Sequence, residues 1–110
     1  MIIDNDENIT IVTQEKASIV ELNKKLQVVY PRYKNDNIIV NLSSLKTLST
    51  TDVIEFLEIS NLHRKANHSF VVVIDRIHED NIPDELIIVP TLQEAYDIIE
   101  MEEIERDLGF

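Results

Sequence analysis

The chain has 110 residues, 44% of them hydrophobic, and carries 21 acids against 10 bases for a formal charge of −11. That length predicts a single domain over residues 1–110, able to bury roughly two-thirds of its unfolded surface. With no cysteine, disulfides, thiol chemistry and Cys-based metal centres are excluded, and with one glycine, Gly109, so are glycine-rich phosphate loops, nucleophile elbows and dinucleotide fingerprints.

Residues 1–3 read as an edge strand, joined through the turn-like residues 4–8 to a strand over 9–13. Residues 15–30 have helical spacing. Ile19, Leu22, Leu26 and Val29 face inward, Lys24 and Lys25 outward, and Pro31 marks the end. A strand over 38–42 leads through the hydroxyl-rich residues 43–51 into a helix over 52–65. Val53, Ile54, Leu57 and Leu62 form its apolar stripe, and Asp52 and Glu55 stand at capping-box spacing. A strand over 70–75 follows. Residues 78–85 are polar and too short for a full helix, and 86–89 form the next strand.

The last helix, over 91–108, opens with a second box from Thr91 to Glu94 and turns Leu92, Ala95, Ile98, Ile99 and Met101 inward. Glu94, Asp97, Glu100, Glu103 and Asp107 form an outward stripe, and Gly109 offers an exit. Runs such as Phe70-Val71-Val72-Val73-Ile74 are continuous rather than alternating, as in strands covered on both faces. Strands alternating with helices predict an α/β sandwich with a four- to five-stranded mixed, mainly parallel sheet and about three helices.

The N-terminal residues are acidic where a signal peptide needs positive charge, and no apolar run approaches the roughly 20 residues of a membrane span. A cytoplasmic protein without membrane insertion is expected. Residues 78–110 hold eleven acids and Arg106 as their one base. Such a field repels nucleic acid and anionic lipid but suits a basic protein partner; it also serves simply to solvate a helix face.

His63, His68 and His78, even with Asp75 or Glu79, lack the i, i+4 pairing of histidines on a zinc-binding helix. They read as surface histidines with no metal. The cluster Tyr30-Pro31-Arg32-Tyr33-Lys34 complements a helix end and is too narrow for nucleic acid. No catalytic centre and no cofactor are expected. The hydroxyl row ending in Ser49, Thr50 and Thr51 before Asp52 has two readings: it caps a helix, or it carries a phosphate at a helix start.

Three strings extend the second reading: Asn41-Leu42-Ser43, Ser49-Thr50-Thr51-Asp52 and Pro90-Thr91-Leu92-Gln93-Glu94-Ala95. With the order of elements, they resemble the STAS domain, the fold of bacterial anti-sigma-factor antagonists and of the cytoplasmic tails of some anion transporters. Members typically have a strand ending in Asp-Leu-Ser, then Asp-Ser-Ser-Gly opening a helix, and later Pro-Thr, two residues, Glu-Ala. The resemblance implies a STAS-like sandwich and a non-enzymatic module of signalling and regulation that binds another protein.

In signalling members the hydroxyl before the motif's glycine is phosphorylated by a partner kinase, which blocks binding. That position is Thr51, which makes a kinase-type anti-sigma factor an implied partner. Asn41, Ser49, Thr50 and Asp52 are the implied partner contacts beside it; apart from the resemblance, the outward acidic stripe makes Glu100, Glu103 and Asp107 the expected contacts for a basic-surfaced partner. The chain departs from the pattern at Ser49 and Asn41, where members carry Asp, and at Asp52, where they carry Gly; Asp52 places a like charge beside an incoming phosphate. The alternatives are a small-ligand or nucleotide-sensing STAS domain and an accessory subunit of a neighbouring enzyme.

Overall fold

The apolar runs assemble into one sheet in the computed structural model, which describes residues 1–15, 18–45, 48–75 and 82–109. Its strands are β1 (Ile2–Asp6), β2 (Ile9–Thr13), β3 (Asn37–Asn41), β4 (Phe70–Val73) and β5 (Ile87–Val89), neighbours in that order. β1 pairs antiparallel with β2, and the other pairs are parallel. The helices are α1 (Ile19–Tyr33), α2 (Thr50–Ile54), α3 (Leu57–Lys65) and α4 (Leu92–Asp107).

The two-residue period of the strands divides the core. Val12, Ile38, Val40, Phe70 and Val72 face α1, α2 and α3, packing with Leu22, Leu26, Val53, Phe56 and Ile59. Ile9, Ile11, Ile39, Val71 and Val73 face α4 through Ala95 and Ile99. Covering both faces is what requires runs such as Ile38 to Val40 and Phe70 to Val73 to be apolar at every position. The expected mixed, mainly parallel sandwich is therefore the observed one.

Several local expectations are corrected. β1 continues to Asp6, so the turn is only Glu7 and Asn8, with Glu7 in the left-handed region (φ 55°). Asp4 and Asp6 are tolerated because they lie on an exposed edge opposite Ile11 and Ile9. α1 begins at Ile19, where the Ser18 hydroxyl accepts the Glu21 N–H (3.4 Å), and it passes through Pro31 to Tyr33. Within the last turn the proline forfeits the bond to the carbonyl of Gln27, an exposed residue, while its fixed φ is already helical.

The single helix expected over 52–65 is two. The chain tightens at Glu55 and Phe56, where the Phe56 N–H reaches the Val53 carbonyl (3.0 Å), and α3 starts afresh. The inward residues become Val53, Phe56, Ile59, Ser60 and His63, while Ile54 and Leu62 are 42% and 57% exposed. The capping box is Ser49 with Asp52, not Asp52 with Glu55. On α4, Met101 is turned out, 51% exposed. Thr91 caps that helix by accepting the Glu94 N–H (3.1 Å), and Gly109 leaves it at φ 83°. The loop expected over 78–85 lies outside the described residues from 78 to 81. No helix among the described residues is long and apolar enough to cross a membrane.

Candidate functional site

At the C-terminal end of the sheet β3 runs out at Asn41. Its carboxamide oxygen accepts the Ser43 N–H (3.1 Å) and the Ser43 hydroxyl (2.7 Å), folding the chain away from the strand. The chain then returns at Ser49 to open α2. Ser49 Oγ accepts the Asp52 N–H (3.3 Å), and Asp52 Oδ2 accepts the Ser49 N–H (3.1 Å) and hydroxyl (3.2 Å). This reciprocal pairing satisfies donors that a helix start leaves orphaned.

Between the two box residues the hydroxyls diverge. Thr50 is buried at 6% exposure with Oγ1 unpaired. Thr51 is exposed, and its hydroxyl takes part in no hydrogen bond among the described residues. Of this row Ser49 caps the helix, Thr50 is buried, and the exposed Thr51 hydroxyl is left open among the described residues. Ser49, Thr50, Thr51 and Asp52 stand together, with Asn41 at the end of the strand that leads to them.

The three acidic candidates on α4 do not join this group. Glu100 and Asp107 are exposed. Glu103 is turned toward the sheet, not outward as expected: Oε2 accepts from Asn8 Nδ2 (3.0 Å) and Oε1 from Asn37 Nδ2 (3.3 Å). Asn37 is the first residue of β3, so the C-terminal half of α4 lies at the end of the sheet opposite Ser49.

That opposite end holds a polar network that sequence reasoning missed. Glu102 Oε2 meets Arg64 Nη2 at 2.6 Å, and Glu102 Oε1 accepts from the buried Ser69 hydroxyl at 2.6 Å. Arg106 donates to Ser69 Oγ (3.2 Å) and to Asn37 Oδ1 (3.4 Å), which also accepts the Ser69 N–H (2.8 Å). Burial raises the Glu102 pKa, but hydrogen bonds from Arg64 and Ser69 with the Arg64 and Arg106 charges outweigh it and hold the carboxyl below its ordinary value. A signal existed. Ala95, Ile99, Glu102 and Arg106 recur at helical intervals of four, three and four on the inward face. Beside the network a cleft of about 210 Å³ is lined by Asn8, Asn37, Asn67, His68 and Arg106, among others.

His63 is a further correction, because it is fully buried rather than superficial. Its Nε2 lies 2.6 Å from the Asp36 carbonyl, which can only accept, so Nε2 carries the proton and Nδ1 accepts from the Tyr30 hydroxyl (2.7 Å). Burial lowers its pKa to about 4. His68 stacks on it with centroids 5.3 Å apart. His78 and Glu79 lie outside the described residues, and among the described residues no cluster of His, Asp or Glu could hold a metal ion.

No family model and no curated protein matches the sequence. Solved structures do. A Ser-to-Glu variant of RsbS from Moorella thermoacetica superposes with TM-score 0.66 at 14% identity, over 90% of this chain and 93% of that one. A chain from the molecular architecture of the stressosome, a signal integration and transduction hub, superposes with TM-score 0.58 at 14% identity, over 90% and 96%. At such identity the likeness is one of fold. Both are STAS-domain proteins, and the resemblance carried by the three strings stands at that level: the chain has the STAS fold.

Proposed function

We propose that this chain is a cytoplasmic, non-enzymatic regulatory module of the STAS type, working without cofactor as one domain. It binds another protein through the surface formed by Asn41, Ser49, Thr50, Thr51 and Asp52, and Thr51 is its phosphoacceptor. One observation carries this reading: Thr51 is exposed and its hydroxyl makes no hydrogen bond among the described residues, while Ser49 and Asp52 complete the helix cap without it. A phosphate added there leaves the cap intact. It sets two further negative charges beside Asp52, on the surface that a partner must approach, which is a physical means of releasing that partner.

Support for a regulatory role comes from the fold, shared with a chain of the stressosome, which is described as a signal integration and transduction hub. The exposed Glu100 and Asp107 suit a partner with a basic surface. The reading is tested by mapping phosphate on protein isolated from its native cells by mass spectrometry, beside a strain carrying Thr51→Ala. Phosphate on Thr51 that is lost in the variant supports the assignment. Phosphate confined to other residues, with signalling unchanged by Thr51→Ala, overturns it.

A further inference from the structure

The C-terminal half of α4 is apolar on the wrong side. At 3.6 residues per turn its inward face is set by Ala95, Ile99, Glu102 and Arg106, all buried or half-buried. Met101, Ile104 and Leu108 fall on the opposite side, within about 60° of one another. They are 51%, 53% and 66% exposed. One exposed aliphatic side chain needs no explanation, but three at i, i+3 and i+7 make a continuous ridge.

The ridge is not held ready to turn inward. The hydrogen bonds of Glu102, Glu103 and Arg106 to Arg64, Ser69, Asn8 and Asn37 fix the rotation of the helix, so the ridge is a permanent surface. Its rim is acidic on both sides: Glu105 on one, Glu100 and Asp107 on the other, all exposed. Arg106, the one base of this segment, faces the sheet, and among the described residues no ion pair reaches Glu100, Glu105 or Asp107. Two copies meeting ridge to ridge would oppose acid with acid. The complementary occupant is therefore a different protein, with an apolar groove or helix face flanked by Lys or Arg.

We infer that Met101, Ile104 and Leu108 are anchors for a partner segment of that chemistry, at a site separate from Ser49 and Asp52 and independent of any modification of Thr51. The spacing is that of an amphipathic helix laid against an apolar groove, with the charged rim setting partner choice and association rate.

The probe is a synthetic amphipathic helical peptide with leucine at i, i+3, i+4 and i+7 and lysine on its flanks, compared with a counterpart carrying glutamate in place of lysine. Binding is followed by backbone amide shifts in NMR titrations of the full chain. The lysine peptide should move amides along 97–108 and the glutamate peptide should not, with affinity falling as salt rises. Ile104→Ser with Leu108→Ser should weaken binding at least about tenfold with the circular dichroism spectrum unchanged. Val28→Ser, which removes an aliphatic group 79% exposed on α1, should leave it unchanged. Equal weakening by Val28→Ser and the α4 pair, or shifts scattered over the acidic surface, would overturn the inference. So would a dimer in sedimentation that the α4 pair dissolves, since the ridge would then belong to a second copy.

Discussion

Titration from neutral pH down to 4.5 should remove stability chiefly through His63. The ring is fully buried, with the Tyr30 hydroxyl donating to Nδ1 and the Asp36 carbonyl accepting from Nε2. A second proton has to displace the tyrosine donor and bring charge into the core. Burial dominates. Together with the His68 and Arg106 charges it outweighs the Asp36 carbonyl bond and carboxylate, leaving the pKa at about 4 against an ordinary 6.5. Between those values the unfolded chain takes the proton and the folded chain does not, so stability drops as pH falls. The contribution is complete above pH 6.5, is exhausted below about 4, and amounts to roughly 3 kcal/mol. Glu102, whose pKa is also depressed by folding, acts in the same direction, but its window opens only near its ordinary value of 4.5 and extends below it. Urea unfolding followed by circular dichroism at stepped pH, on the wild type and His63→Gln, separates the two. The variant should be less stable at neutral pH yet lose far less between pH 6.5 and 4.5. Parallel profiles over that interval would refute the assignment of the loss to His63.

Asp52→Ala should lower unfolding free energy by about 0.5 to 2 kcal/mol in urea melts, because it removes half of the capping box and a favourable charge at the helix start. Arg64→Ala takes from half-buried Glu102 its ion-pair partner, leaving only the Arg106 charge beside it, and should cost about 1 to 3 kcal/mol, discounted for the 30% exposure of the arginine; Glu102→Gln, which keeps an acceptor for Ser69, should cost less. Ser60→Ala should be neutral or stabilising by up to about 1 kcal/mol by calorimetry, since the Ser60 hydroxyl is buried without a partner and alanine favours the helix.

Where burial alone decides the pattern, the sequence spoke clearly. The run Ile9 to Thr13 is a strand with the expected bounds, and the uninterrupted apolar residues of β3 and β4 announced a sheet covered on both faces. Polar partners were hidden by distance along the chain. Ser69 meets Glu102 from 33 residues away, and Arg106 meets Asn37 from 69. Each of these side chains in isolation looks like an ordinary surface group. The kink at Glu55 and Phe56 was missed because Val53, Ile54 and Leu57 make a plausible stripe on an unbroken helix; the break re-aims the later residues, burying His63 and exposing Leu62. At Ser49 the hydroxyl row was visible, but its division of labour was not. Which hydroxyl caps and which is left open depends on the rotamers at one turn, and strings of Ser and Thr do not encode that difference.

In the proposed function the surface at Thr51 binds a protein and charge on Thr51 releases it. The most direct measurement of this is quantitative affinity capture from native lysate by the wild type, Thr51→Ala and Thr51→Glu, after urea melts have shown the three to be equally stable. The wild type and Thr51→Ala should retain the same partner while Thr51→Glu loses most of it. Equal recovery by all three proteins would contradict the proposal.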